Sequence, residues 1–163
     1  MNNNLCLAIC PINFKNFDKL IRLFKSIDAT LLYSKILFHE ANSKILKQSK
    51  KFIARSRAQI ASWFGFSSKK VDRLLQQLET EDYIEKQVGL WYGKKRLFIK
   101  TNQVTEQSPI HFQRFDIIYQ ETKSIQATLI FSLILFRFAN TQIEHDNKKW
   151  CCIPKDELAK QLN

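Results

Sequence analysis

Six residues between positions 68 and 77 could read a polyanion: Ser68, Lys69, Lys70, Arg73, Gln76 and Gln77. On a helix turning about 100° per residue, Lys69, Arg73 and Gln76 fall within about 60° of one another. Val71, Leu74, Leu75 and Leu78 gather on the opposite side. Lys and Arg donate to guanine N7 and O6, and Gln pairs with adenine N6 and N7, so such a face could read base edges in a duplex. An ordinary solvated helix face carries the same residue types, and the surroundings must decide. Two more groups of cations flank this stretch. Arg55 and Arg57 precede it, and Lys94, Lys95 and Arg96 follow it.

The charge of the whole chain supports a polyanionic partner. Lys and Arg number 26 against 15 Asp and Glu, a net charge of +11. The surplus is uneven. Residues 1–102 hold 19 basic and 8 acidic residues, whereas residues 103–163 hold 7 of each. A basic patch of this kind suits nucleic acid or an anionic membrane face. The basic residues surround predicted helices and a hairpin, and no separate basic amphipathic helix stands out, so a membrane role is disfavoured. The most apolar run, Thr128–Phe138, is interrupted by Ser132 and Arg137 and is too short to span a bilayer. Met1–Cys10 lacks the basic start of a signal peptide, and Leu7-Ala8-Ile9-Cys10 is a poor match to a lipoprotein cleavage site. A soluble, cytoplasmic protein is expected.

Enzyme chemistry finds little support. No nucleophile–base pair, metal cluster or phosphate-cradling Gly loop is legible. His39, His111 and His145 are scattered. Cys6, Cys10, Cys151 and Cys152 lack zinc-knuckle spacing and read as buried free thiols. The expectation is a protein without catalytic residues, metal or cofactor.

An internal repeat organises the chain. Shifted by 98 positions, residues 11–65 fall on 109–163 without a gap, with 21 identities in 55 positions. Pro11-Ile12-Asn13-Phe14 meets Pro109-Ile110-His111-Phe112, and Ala29-Thr30-Leu31 meets Ala127-Thr128-Leu129. The reading is one full unit, 1–102, followed by the first part of a second, 103–163. Nothing in the second part matches 66–102, so a second reading helix and hairpin are missing from it.

The elements of the first unit follow from pattern and capping. Asp18–Ser26 reads as a short helix. Asp28 could cap the next, roughly Ala29–Leu46, whose wide apolar arc marks a central core helix. Lys47–Lys51 reads as a basic connection and Phe52-Ile53-Ala54 as a short strand. Ser56 and Gln59 form a capping box opening a helix over Arg57–Phe64. Gly65 ends it in the left-handed region, and Ser67 caps a second helix over Ser68–Thr80. Small Ala61 lets the two helices cross, while Val71 and Leu74 close the core. Two short helices joined at a Gly make a helix-turn-helix. Tyr83–Val88 then alternates as a strand, Gly89–Gly93 contains a turn, and Lys94–Lys100 returns, giving a hairpin with a basic tip. Trp91 and Tyr92 are expected to pack the hairpin, with contact to sugar or base as the alternative. In the second unit Ser124–Thr141 repeats the long helix, and Pro154–Ala159 repeats the start of the helix pair. The apolar long helix needs cover, from the first unit, a second copy of the chain or another protein.

This order of helix, basic loop, strand, helix pair and hairpin resembles the winged-helix family over about 28–101. The run Thr30–Ser34, Lys51–Ile53, Gln59–Ser67 and Leu78–Glu85 is similar to the winged helices of plasmid and phage replication initiators and replisome organisers, which sometimes occur in tandem. MarR- and GntR-type transcription regulators share much of the pattern. The family usually carries Gly where this chain has Asp82, a residue that tolerates the left-handed region better than most. The resemblance implies a mainly α fold with a small β-hairpin (α+β), a winged helix-turn-helix with a truncated second copy. It implies double-stranded DNA as partner, with helix 68–80 in the major groove. Ser68, Lys69, Lys70, Arg73, Gln76 and Gln77 would contact base or phosphate, Lys94, Lys95 and Arg96 would form the wing over 89–96, and Arg55 and Arg57 would touch phosphate. A replication initiator is the narrower expectation. A transcription regulator and a protein-interaction winged helix are the alternatives.

Overall fold

The computed structural model describes residues 10–47, 49–102 and 107–160. The chain divides into two compact units: Lys19–Ser108, and Met1–Asp18 together with Pro109–Asn163. The architecture is α+β.

Helix α1, Phe14–Phe24, crosses the boundary between the units. In the first-named unit it leads to α2, Ile27–Ala41, which is buried along almost its whole length. Ser26 caps α2 by accepting from the Ala29 amide. The expected cap, Asp28, instead lies in the first turn, where an acid suits the helix dipole. The helix also stops earlier than its apolar pattern suggests. Ile45 and Leu46 belong to β1 (Ile45–Lys47), paired antiparallel with β2 (Lys50–Arg55). The basic stretch read as a connection is therefore a hairpin, and Ser49 supplies the positive φ of 63° at its turn.

Next come α3 (Arg57–Ser62) and α4 (Ser68–Thr80), then the long hairpin β3 (Ile84–Trp91) and β4 (Lys94–Thr101). The expected capping box of Ser56 and Gln59 is present, Ser67 caps α4 through the Lys70 amide, and Gly65 has φ 65°. Asp82 adopts φ 60°, and its side-chain and backbone oxygens both accept from the Asn102 side-chain Nδ2, which offsets the strain. The four strands form one antiparallel sheet in the order β1-β2-β4-β3. One sheet face carries Ile53, Leu97, Ile99 and Ile84 toward α2 and α4, whose Leu31, Leu32, Tyr33, Ile36, Val71, Leu74, Leu75 and Leu78 complete the core. Ala61 is buried between α3 and α4, as its size requires. The other face carries a smaller cluster of Phe52, Ala54 and Phe98, with Ile45 and Trp91 against it.

The second unit contains α5 (Phe112–Thr122), α6 (Ile125–Asn140), a short hairpin of β5 (Ile143–His145) and β6 (Lys148–Trp150), and α7 (Lys155–Lys160). The repeat is visible in its hydrogen bonds. Ser26 and Ser124 both cap a long helix. Thr30 and Thr128 both donate to the cap carbonyl four residues back, at 2.8 Å each. Ser34 and Ser132 each donate to that threonine's carbonyl, at 2.7 Å. Asn42 and Asn140 bind the carbonyls of Phe38 and Phe136. Lys25 and Lys123 both take φ 52°. The thiols depart from expectation: Cys10 and Cys151 are only half-buried and Cys152 is exposed. Cys6 and the residues before Cys10 lie outside the described residues. Among the described residues no helix is long and apolar enough to cross a membrane.

Candidate nucleic-acid interface

Helix α4 has two sides with different fates. Val71, Leu74, Leu75 and Leu78 are buried, which anchors the helix on α2 and β3. Removing four such side chains from water contributes roughly 1.5–3 kcal/mol each before entropy is counted. That anchoring fixes the rotation of the helix and so holds Ser68, Lys69, Arg73 and Gln76 exposed.

The cations predicted for the site are not equivalent. Lys69 and Arg73 are exposed and make no hydrogen bond or ion pair with the described residues. Lys70 is held by the body instead. Its Nζ lies 2.6 Å from Asp28 Oδ2 and 4.3 Å from the Phe66 ring centroid. Arg57 Nε donates to Asp72 Oδ1 at 2.7 Å, an exposed pair linking α3 to α4. Pairs of this kind contribute about 0–1 kcal/mol. Arg55 ends β2 with its Nη1 on the Ala54 carbonyl.

The two glutamines also differ. Gln76 Oε1 accepts from Lys86 Nζ at 3.1 Å, and Lys86 pairs with Glu79 at 2.7 Å, so the hairpin is tied to α4. Gln77 gives its amide to the Phe24 carbonyl at 3.2 Å and turns toward α1. Thus α4 presents Ser68, Lys69, Arg73 and Gln76 together, while Lys70 and Gln77 hold the helix in place.

At the far end of the hairpin, Tyr92 and Gly93 form the turn with φ 48° and 70°. Two successive positive φ values match the type I′ turn of two-residue hairpins. Lys94 and Lys95 are exposed beside it, and Arg96 donates to the Lys95 carbonyl. Trp91 packs edge-on against Phe98 with centroids 6.1 Å apart, as expected for a packing residue. Tyr92 lies edge-on to Trp91 with centroids 5.0 Å apart, yet stays 88% exposed.

A second basic hairpin goes beyond what the residue pattern predicts. Lys44, Lys47, Lys50 and Lys51 surround β1 and β2. Lys47 Nζ sits 3.8 Å over the Phe98 ring, and Lys51 Nζ donates to the Ala41 carbonyl at 3.0 Å. The alternation Ile45–Lys47 is too short to announce a strand, and it merges into the apolar run of α2. Compared with known proteins, the chain matches no family model, no curated protein and no solved structure.

Proposed function

We propose that the chain is a winged-helix protein that binds duplex DNA, acting in replication initiation of the plasmid or phage type. The observation that carries the reading is the freedom of Lys69 and Arg73 on the outward side of a helix whose other side is fully buried. In this reading α4 enters the major groove, where Ser68, Lys69, Arg73 and Gln76 reach base edges or the phosphates beside them. The β3–β4 hairpin is the wing, and Lys94, Lys95 and Arg96 engage the backbone or the minor groove beside it. Arg57 exchanges Asp72 for a phosphate. The surplus of 19 basic over 8 acidic residues within 1–102 supports the same assignment.

A protein-binding role has its own support in the second unit, where α6 leaves Phe131 and Ile134 in contact with water. The test is fluorescence anisotropy with labelled duplex DNA across a salt series, wild type beside Arg73→Glu. Tight, salt-sensitive binding that the variant loses supports the reading. Absence of binding at low salt, or binding indifferent to Arg73, overturns it in favour of a protein-interaction module.

A further inference from the structure

The tip of the β3–β4 hairpin carries apolar surface that its own fold does not use. Strand β2 pairs with β4 only from Leu97 to Ile99, so Gly89–Trp91 and Lys94–Arg96 pair with each other alone. On this free end Leu90 and Tyr92 are 74% and 88% exposed, and Val88 just before it is 56% exposed. Side chains alternate along a strand, so Val88 and Leu90 share the sheet face of Lys86, the face turned toward α4. Lys95 stands directly opposite Leu90 on that face, and Lys94 and Arg96 lie on the reverse. The tip is an apolar edge bordered by three cations.

The hairpin projects beyond its contact with α4. From Lys86, beside Gln76, the strand travels about 17 Å to Trp91 at roughly 3.3 Å per residue. That length carries the tip clear of the Lys86 contact, and Val88 and Leu90 beyond it are exposed. Flanking cations select a polyanion as the occupant of this edge, and exposed apolar side chains on a cationic hairpin are suited to enter a minor groove and part its base steps.

We propose that Leu90 and Tyr92 form a wedge that enters the minor groove of A·T-rich DNA and unstacks a flexible step there, with Lys94, Lys95 and Arg96 holding the flanking phosphates. The proposal rests on the duplex-binding reading and adds to it a substrate class: deformable A·T-rich duplex. Pyrimidine–purine steps such as TA unstack most easily, so the gain is largest there.

The experiment compares the full chain, a Leu90→Ser/Tyr92→Ser variant and Arg73→Glu. The probes are a short alternating A·T duplex and a short alternating G·C duplex, with 2-aminopurine placed beside a TA step in the first. Both wedge positions are exposed, and circular dichroism checks that the variant folds. Wild type is expected to prefer the A·T duplex by about tenfold and to raise the 2-aminopurine fluorescence. The double variant is expected to lose both while keeping its salt slope. Retention of the preference and the fluorescence rise by the double variant overturns the wedge. So does wild-type binding without preference or fluorescence change, or an effect of the double variant confined to self-association measured by sedimentation. Arg73→Glu separates the two readings: if it binds like wild type while the double variant loses the A·T preference, the major-groove assignment falls and the wedge stands. If wild type binds neither duplex, both fall.

Discussion

Ile12 pairs with Ile110, the residue 98 positions later and its own equivalent in the repeat. The two flanking hydrogen bonds are equivalent as well: the Asn13 amide donates to the Pro109 carbonyl at 2.8 Å, and the His111 amide to the Pro11 carbonyl at 2.7 Å. Each copy of the Pro-Ile-X-Phe segment thus treats the other as it is itself treated, the mark of a local two-fold relation.

The symmetry breaks at the next step, and this gives a stability prediction. Asn13 Oδ1 accepts from the Asn16 amide at 3.3 Å at the start of α1, whereas His111 caps α5 with no side-chain bond. His111→Asn restores the missing acceptor and is expected to stabilise the chain by about 0.5–1 kcal/mol. Asn13→Ala is expected to cost a similar amount. Urea denaturation of the two variants beside wild type measures both, and an unchanged midpoint for His111→Asn contradicts the capping argument.

Glu40 ties the end of α2 to the base of the hairpin by accepting from the Thr101 amide and hydroxyl. Burial raises its pKa above the ordinary carboxylate value. The Thr101 bonds and then the nearby charges of Lys100 and Lys51 oppose that rise without cancelling it. Because the folded value lies above the unfolded one, the stabilising contribution is complete below the unfolded pKa and declines as pH rises through the folded one. Glu40→Gln keeps an acceptor for Thr101 without the buried charge. The variant's stability relative to wild type is therefore expected to improve as pH rises from the acid side toward neutrality. Denaturation midpoints across that range check the sign, and a relative stability that falls with pH contradicts it.

Gly89 lies against Phe98, and a Cβ added there would stand 2.9 Å from Phe98 Cε2. Phe98 is buried beneath Trp91 and Lys47 and has little room to retreat. Gly89→Ala is expected to destabilise the hairpin by about 1–3 kcal/mol. Gly93, with open space around it, is held by its φ of 70° instead. The two glycines can be told apart by amide exchange: Gly89→Ala should loosen β2 and β4 together, whereas Gly93→Ala should loosen the turn alone.

The cations of α4 should separate in their salt dependence. Alanine at Lys69 or Arg73 is expected to lower the log–log slope of DNA affinity against salt by about 0.9 for each phosphate that the side chain no longer neutralises. Lys70→Ala removes a partner of Asp28 and is expected to act mainly on stability, by about 0–1 kcal/mol, with a smaller change in slope. A Lys70 slope change as large as that of Arg73 would show that the Asp28 pair opens on binding.

These differences mark where sequence reasoning is strong and where it stops. The capping box at Ser56, the turn at Gly65 and the buried stripe of α4 are local, and each is legible because a few neighbouring residues determine it. The β1–β2 hairpin is not legible, because Ile45 and Leu46 continue the apolar spacing of α2, and only pairing with residues 51 and 52 makes them a strand. Which cations of α4 stay free is equally invisible. Lys70 and Gln77 look like Lys69 and Gln76 until Asp28 and the Phe24 carbonyl, both distant in sequence, are brought beside them.

The two long helices use equivalent positions differently. Tyr33 is fully buried, and its hydroxyl donates to the Asn102 carbonyl, whereas its equivalent Phe131 is 46% exposed and has no hydroxyl to place. Glu40, which holds Thr101, has Phe138 as its equivalent. In the first copy α4 and β4 pack on α2. The uncovered side of α6, with Phe131 and Ile134, is expected to bind a hydrophobic dye and to drive self-association of the 163-residue chain as concentration rises. A Phe131→Gln/Ile134→Gln variant should lose both properties, with its unfolding midpoint changed little because these side chains already meet water. Sedimentation velocity across a concentration series decides the matter. If wild type sediments as a monomer throughout and leaves the dye dark, the apolar side of α6 is not available to a second copy.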